Sequence, residues 1–169
     1  MKKITIIGTG YVGLVSGAGL ADFGNEVVCV DINKEKVSQL EDGIIPFYEP
    51  GLIELVARNV ETGRLSFSTN IGESVQESEA VFIAVWTPMG NDGEADLSAV
   101  EDASRVIGQN LTDYKVVATK STVPIGTGEF IRSIIRENSK GRAEFDIISN
   151  PEFLREGAAV SDFMIPNRV

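Results

Sequence analysis

Gly8-Thr9-Gly10-Tyr11-Val12-Gly13 spaces three glycines as G-x-G-x-x-G directly after an apolar run, and an acid, Asp31, closes the next apolar run 18 residues past Gly13. Each glycine has its own task in a loop that holds a dinucleotide. Gly8 makes a tight turn, Gly10 lets the backbone approach a pyrophosphate, and Gly13 lets a helix pack closely on a sheet. The helix that opens at Tyr11 then aims its N–H donors and positive dipole end at the phosphates. Asp31 would accept hydrogen bonds from adenosine ribose hydroxyls and repel a 2′-phosphate, which favours NAD over NADP. Ile32 and Asn33 offer no arginine to such a phosphate, whereas Lys34 and Lys36 stand near enough to keep NADP open. Glycine turns after strands are common, so the competing explanation is a purely structural loop with Asp31 an exposed strand-end acid.

Two further stretches are unlike ordinary connectors. Residues 117–127 read V-A-T-K-S-T-V-P-I-G-T, an apolar run whose end carries Ser121 and Thr122 before a Pro-Gly turn. Residues 149–157 read S-N-P-E-F-L-R-E-G, which sets Glu152 and Glu156 four apart after another apolar run. In an open α/β sheet, ligands lie outside the carboxyl ends of the strands, where both stretches would project. Helix capping by hydroxyls and carboxylates accounts for the same spacing equally well. Cys29, the single cysteine, alternates within an apolar strand between Val28 and Val30 and reads as an inert core thiol.

The elements that must position these residues follow from periodicity. A β-branched run over 4–7 predicts a strand buried on both faces, followed by a helix over 11–23 that stops at Gly24-Asn25. A strand over 26–31 and a helix from Asn33, its cap, to Leu40 complete one βαβ unit and begin the next. Farther on, helices are expected from Pro50-Gly51 to Asn59, over 96–107 and over 127–137. Strands are expected over 65–68, 81–85, 115–119 and 145–148. Gly17, one turn beyond Gly13, extends a close-packing helix face. Regular alternation with short connections selects an α/β fold: a Rossmann-type doubly wound, mainly parallel sheet with helices on both faces.

Composition narrows the classes. The 169 residues suit one domain, 1–169, with 43% hydrophobic and 24% charged residues, as in a packed protein. Fifteen Lys and Arg against 25 Asp and Glu give a net charge of −10, which opposes nucleic-acid or anionic-membrane binding and requires any phosphate to be held locally. With no histidine and one cysteine, neither a disulfide framework nor a usual zinc site is expected, so the metal expectation is none. No signal peptide or membrane span is legible, and a reducing cytoplasm is the expected location.

The chain also resembles the nucleotide-sugar dehydrogenases. The resemblance is carried by K-I-T-I-I-G-T-G-Y-V-G-L, Tyr48-Glu49-Pro50-Gly51-Leu52, Trp86-Thr87-Pro88, S-T-V-P-I-G-T and N-P-E-F-L-R-E-G. It spans the whole chain and is most similar to the UDP-glucose 6-dehydrogenase branch, through Asp162-Phe163 and Pro166-Asn167-Arg168. GDP-mannose dehydrogenases share most of it, and UDP-N-acetylmannosamine enzymes are more distant.

The resemblance implies oxidation of a sugar C6 alcohol to a carboxylate by two hydride transfers to NAD, through a thiohemiacetal and a thioester that water hydrolyses. It implies NAD contacts at Gly8, Gly10, Tyr11, Val12, Gly13, Asp31, Lys36, Thr87, Thr122 and Glu156. Catalytic roles fall to Glu152, as the base for hydrolysis, and to Thr122, which helps hold the water. Glu152, Phe153, Leu154, Arg155 and Glu156 would line the UDP-sugar site. The family's nucleophilic cysteine lies in a second domain beyond a linker helix. The expectation is therefore an N-terminal cofactor domain, inactive and monomeric by itself, from a homo-oligomeric parent. Association through apolar surface near Phe163-Met164-Ile165 is a further expectation. Trp86 departs from the pattern, since a smaller residue is expected there. A related hydroxyacid dehydrogenase and a non-catalytic NAD-sensing module are the alternatives.

Overall fold

The computed structural model describes residues 1–90 and 93–166. The Asn167-Arg168 pair that contributes to the resemblance lies outside the described residues. The chain runs β1 (Lys3–Ile7), α1 (Tyr11–Asp22), β2 (Glu26–Val30), α2 (Lys34–Glu41), α3 (Leu52–Glu61), β3 (Leu65–Ser68), α4 (Ile71–Glu77), β4 (Ala80–Ile83), α5 (Ser98–Asn110), β5 (Lys115–Thr119), α6 (Thr127–Ser139), β6 (Phe145–Ser149) and α7 (Ala159–Met164). The six strands lie in the order β3-β2-β1-β4-β5-β6, and every pairing between them is parallel. The chain thus winds outward from β1 to one edge, crosses back through α4, and winds outward again from β4. The point of reversal lies between β1 and β4, where a doubly wound sheet opens its ligand crevice.

Strand alternation builds a core on each face. Ile4, Ile6, Val27 and Cys29 point to one side, under α1, α2 and α3, with Leu14, Val15, Leu40 and Leu55 packed on them. Ile7, Val30, Val81, Ile83 and Val117 take part in the opposite core with Val100 and Ile107 of α5 and Ile131 and Ile135 of α6. Gly17 is where α1 presses closest, because a Cβ there would come 2.3 Å from Cys29 Sγ.

Two buried polar groups fasten the far end of the sheet. Thr5 Oγ1 donates to Ser74 O at 2.8 Å. The wholly buried Lys115 Nζ donates to Gln76 O, Ser78 O and Asp113 Oδ1 at 3.2, 2.6 and 2.6 Å.

Two short helices go beyond the sequence expectation, α4 and α7. The second also changes the expectation for the Phe163-Met164-Ile165 surface. Phe163 is packed home: its ring stacks on Phe23 at 6.1 Å and lies where a Gly19 Cβ would come within 2.3 Å. Ile165 is the exposed member of the trio, at 82%.

Candidate cofactor and substrate cleft

The carboxyl ends of β1 and β4 are bonded side by side, Ala84 N donating to Ile7 O at 2.8 Å. Out of this junction rises the glycine loop. Gly8 has φ +102°, and a Cβ on it would come 2.5 Å from Ala84 O. A Cβ on Gly13 would come 1.9 Å from Gly8 O, so these two glycines let the loop close on itself and on β4. Gly10 differs, since nothing lies within 4 Å of its Cβ position. It opens α1 without a side-chain cap, and the first turn carries no acid. The amide donors and the positive end of the helix therefore face open space, the arrangement that holds a pyrophosphate.

Two clefts meet at this loop, sharing Gly10, Ala84, Val85 and Trp86 in their walls. The first, of about 590 Å³, continues along Gly8, Asp31, Lys36 and Pro88 to α5. The Asp31 carboxylate is fixed there on two sides. Its Oδ2 accepts from Thr9 N, Thr9 Oγ1 and Lys36 Nζ at 3.0, 2.7 and 3.1 Å, and its Oδ1 accepts from Asn33 N at 3.0 Å. Burial alone would raise its pKa, but these donors outweigh burial and hold it below the ordinary carboxylate value. Oδ1 carries the lighter load and has lone pairs left for a ribose hydroxyl. Asn33 caps α2 by accepting from Lys36 N at 3.1 Å, which brings Lys36 round to Asp31.

The second cleft, of about 350 Å³, is lined by Tyr11, Val12, Thr87, Lys120, Ser121, Thr122 and Glu152, together with Gly10 and the shared residues that follow β4. Thr87 Oγ1 donates to Thr122 O at 3.0 Å and so joins the β4 and β5 loops. Ser121 is committed to structure, its hydroxyl donating to Val85 O at 2.6 Å. Lys120 is buried, donates to Asn150 Oδ1 at 3.0 Å, and has its pKa lowered by burial against the opposing pull of Glu152. Sequence reasoning passed over this lysine. Its placement between a strand end and Ser121-Thr122 was the available signal. A carboxylate, an ammonium and a hydroxyl thus converge on one wall, a set able to bind a polar group and move a proton.

Of the residues anticipated for the cofactor, Gly8, Gly10, Asp31 and Lys36 meet in the first cleft and Tyr11, Val12, Thr87 and Thr122 in the second. Gly13 acts from behind, through packing. Glu152 lines the second cleft, and its carboxylate also accepts from Leu154 N. Phe153, Leu154, Arg155 and Glu156 continue outside the cleft walls. Phe153 is 52% exposed, Leu154 packs on the α1-side core, and the Arg155 guanidinium is held by Asp162 at 2.7 and 3.0 Å. Thr9, which holds Asp31, was also missed, because the x positions of G-x-G-x-x-G carry no requirement of their own.

Comparison with known proteins bears on the same features. The family model described as UDP-glucose/GDP-mannose dehydrogenase family, NAD binding domain, matches residues 2–169. The UDP-glucose 6-dehydrogenase TuaD of Bacillus subtilis (strain 168) is 54% identical over 164 residues, covering 97% of this chain and 36% of the relative. A UDP-glucose 6-dehydrogenase of Rhizobium meliloti (strain 1021) is 55% identical over 168 residues, covering 99% of this chain and 38% of the relative. The chain therefore spans little more than a third of the length of these relatives. Among solved structures, a UDP-glucose dehydrogenase from the hyperthermophilic archaeon Pyrobaculum islandicum superposes with a TM-score of 0.96 at 43% identity, over 99% of this chain and 39% of that one. A GDP-mannose dehydrogenase from Pseudomonas aeruginosa, solved as a ternary complex, gives 0.91 at 36% identity, over 95% and 38%.

Proposed function

Because the chain belongs to the UDP-glucose/GDP-mannose dehydrogenase family through its NAD binding domain, we propose that it is the cofactor-holding part of an enzyme that oxidises UDP-glucose to UDP-glucuronate. The observation that carries this reading is the pair of clefts joined at Gly10, with Asp31 at one end and Thr122, Lys120 and Glu152 at the other. Bound NAD supplies the hydride acceptor. The residues present fit it: an uncapped helix start and open space at Gly10 for the pyrophosphate, and a preset Asp31 carboxylate for the ribose. Lys36 neutralises part of the Asp31 charge, while Asp96 and Asp102 in the same wall disfavour an extra phosphate.

In the second cleft Thr122 orients a water molecule and Glu152 accepts its proton when the oxidised sugar is released by hydrolysis. Glu152 lines the second cleft, and the stretch from Phe153 to Glu156, outside its walls in this chain, borders the UDP-sugar site of the whole enzyme, with Glu156 on the nicotinamide side. Cys29 takes no part, being fully buried with its thiol pushed up to about 12 by burial. The nucleophile must come from polypeptide outside these 169 residues, from a linker helix and a second domain that complete the sugar pocket and pair the subunits. The chain by itself is monomeric and inactive, and the whole enzyme a cytoplasmic homo-oligomer. Among the described residues no helix is long and apolar enough to cross a membrane, and no group of acids and thiols could hold a metal ion.

Calorimetric titration of this chain with NAD and with NADP tests the reading. Saturable binding with NAD preferred is expected; equal binding of the two would overturn the role given to Asp31, and turnover of UDP-glucose by the isolated chain would overturn the role given to the missing nucleophile.

A further inference from the structure

Among the described residues Glu49 is the one acidic side chain that is buried, at 3% exposure, and it touches none of the reacting groups assigned above. It lies in the connection between α2 and α3, where its backbone carbonyl begins the turn into α3, accepting from Leu52 N at 3.1 Å. Its carboxylate gathers two other segments. Oε2 accepts from Tyr11 Oη at 2.5 Å and from Gly157 N at 2.8 Å, and Oε1 accepts from Ala159 N at 2.7 Å. Tyr11 is the first residue of α1, and Gly157 and Ala159 follow directly on the 152–156 stretch. The same tyrosine hydroxyl lies 3.1 Å from Arg155 O, and its ring packs on Phe47 with centroids 5.3 Å apart.

Carboxylates are seldom buried, because desolvation is costly unless every lone pair finds a donor. Here burial would raise the Glu49 pKa, but the Tyr11 hydroxyl and the amides of Gly157, Ala159 and Val160 together hold it below its ordinary value. An ionised acceptor makes each of those bonds charge-assisted. It also joins Tyr11, in the wall of the second cleft, to the segment that follows Glu152, which lines the same cleft. Leu154 and Phe163, on either side of the anchored amides, pack on the core that contains α1.

We propose that Glu49 is a positioning residue that ties the segment carrying Glu152 to the first turn of the cofactor helix, so that filling the glycine loop and placing Glu152 are coupled. This rests on the reading that the glycine loop takes NAD.

The test is residue-resolved amide hydrogen exchange on the whole chain, with and without saturating NAD. Three proteins are compared: the unaltered protein, Glu49→Gln, which keeps the shape but replaces one acceptor by a donor, and Tyr11→Phe, which removes only the hydroxyl. In Glu49→Gln, exchange at Gly157 and Ala159 should speed up about tenfold or more while the β1 amides hold their rates. In the unaltered protein NAD should slow exchange at Gly157 and Ala159, and in Tyr11→Phe, at NAD concentrations that calorimetry shows to saturate that variant, the slowing should disappear. Loss of a merely stabilising contact would shift all amides together and leave the NAD-linked change in place. The coupling is refuted if Glu49→Gln leaves Gly157 and Ala159 as protected as before, or if the NAD-linked slowing survives in Tyr11→Phe. Should the unaltered chain bind no NAD in calorimetry, the cofactor reading fails, and the cofactor-free comparison of Glu49→Gln still decides the tether. Should Glu49→Gln fail to fold, the Tyr11→Phe arm decides the coupling.

Discussion

Gly10 and Gly13 lack side chains for opposite reasons, and the difference separates folding from binding. A methyl group on Gly13 would sit 1.9 Å from Gly8 O, a contact that only a shift of α1 or the loop could relieve. Gly13→Ala should therefore cost about 1–3 kcal/mol or more in stability, visible as a lowered Tm without any ligand. A methyl group on Gly10 meets nothing, and its backbone at φ −70° suits any residue. Gly10→Ala should keep the Tm of the parent chain yet weaken NAD binding, because the methyl occupies the space that the pyrophosphate needs. Equal NAD affinity in Gly10→Ala would mean that the cofactor does not approach this loop. Thr9 offers a companion test. Its hydroxyl donates to the Asp31 oxygen that carries the most bonds, at 2.7 Å. Thr9→Val should lower NAD affinity about tenfold through loss of one charge-assisted bond, and Thr9→Ser should restore most of it. Such a residue role was invisible in the sequence, because the direction of a buried hydroxyl does not follow from neighbouring residue types; for Lys120 the strand-end position was legible and its burial was not.

At the scale of elements, α7 is a six-residue helix held by what it docks on. Asp162 accepts from Arg155 N and from the Arg155 guanidinium, and those bonds hold its carboxyl at about 2. A carboxyl whose folded pKa lies below its unfolded value adds stability that is complete above the unfolded value and is lost as pH falls through the folded one. For Asp162 that window runs from its ordinary 3.8 down to about 2. The parent chain should thus lose more stability than Asp162→Asn as pH falls through this window, as measured by denaturant midpoints at matched ionic strength. Parallel curves would show that the pair contributes nothing to the docking of this segment. The sequence made α1, α2, α3, α5 and α6 legible, since each has a recognisable start, in α2 the Asn33 cap. It left α4 and α7 unseen for a physical reason. In α4 only Ser74 and Val75 are buried, and in α7 only Ala159 is, so neither displays a helical period. Strand positions were legible to within about two residues; β1, β2, β4 and β5 carry β-branched runs, whereas the edge strands β3 and β6 are less buried and were marked by their bounds.

On the scale of the whole molecule, the strand order β3-β2-β1-β4-β5-β6 is a matter of contacts distant in sequence, and the alternation of elements fixed the class but not the order. The order nevertheless decides where function can lie, because it sets the reversal between β1 and β4 directly under Gly8 and Ala84. It also decides the fate of Cys29. That residue is on β2, flanked by β1 and β3, and α1 closes over it at Gly17, so its sulfur is fully buried. Burial pushes the thiol up to about 12, which leaves almost no thiolate near neutral pH. A thiol reagent should consequently label Cys29 only when the sheet opens, with a rate that follows the global unfolding equilibrium across denaturant. Cys29→Ala should lower the Tm by a few degrees through the small cavity it leaves and should keep NAD affinity unchanged within about twofold. Rapid labelling of the native chain, or loss of NAD binding in Cys29→Ala, would place this sulfur near the cleft. The geometry argues otherwise, since Cys29 faces the α1-side core while its neighbour Val30 lines the first cleft from the other side of the strand.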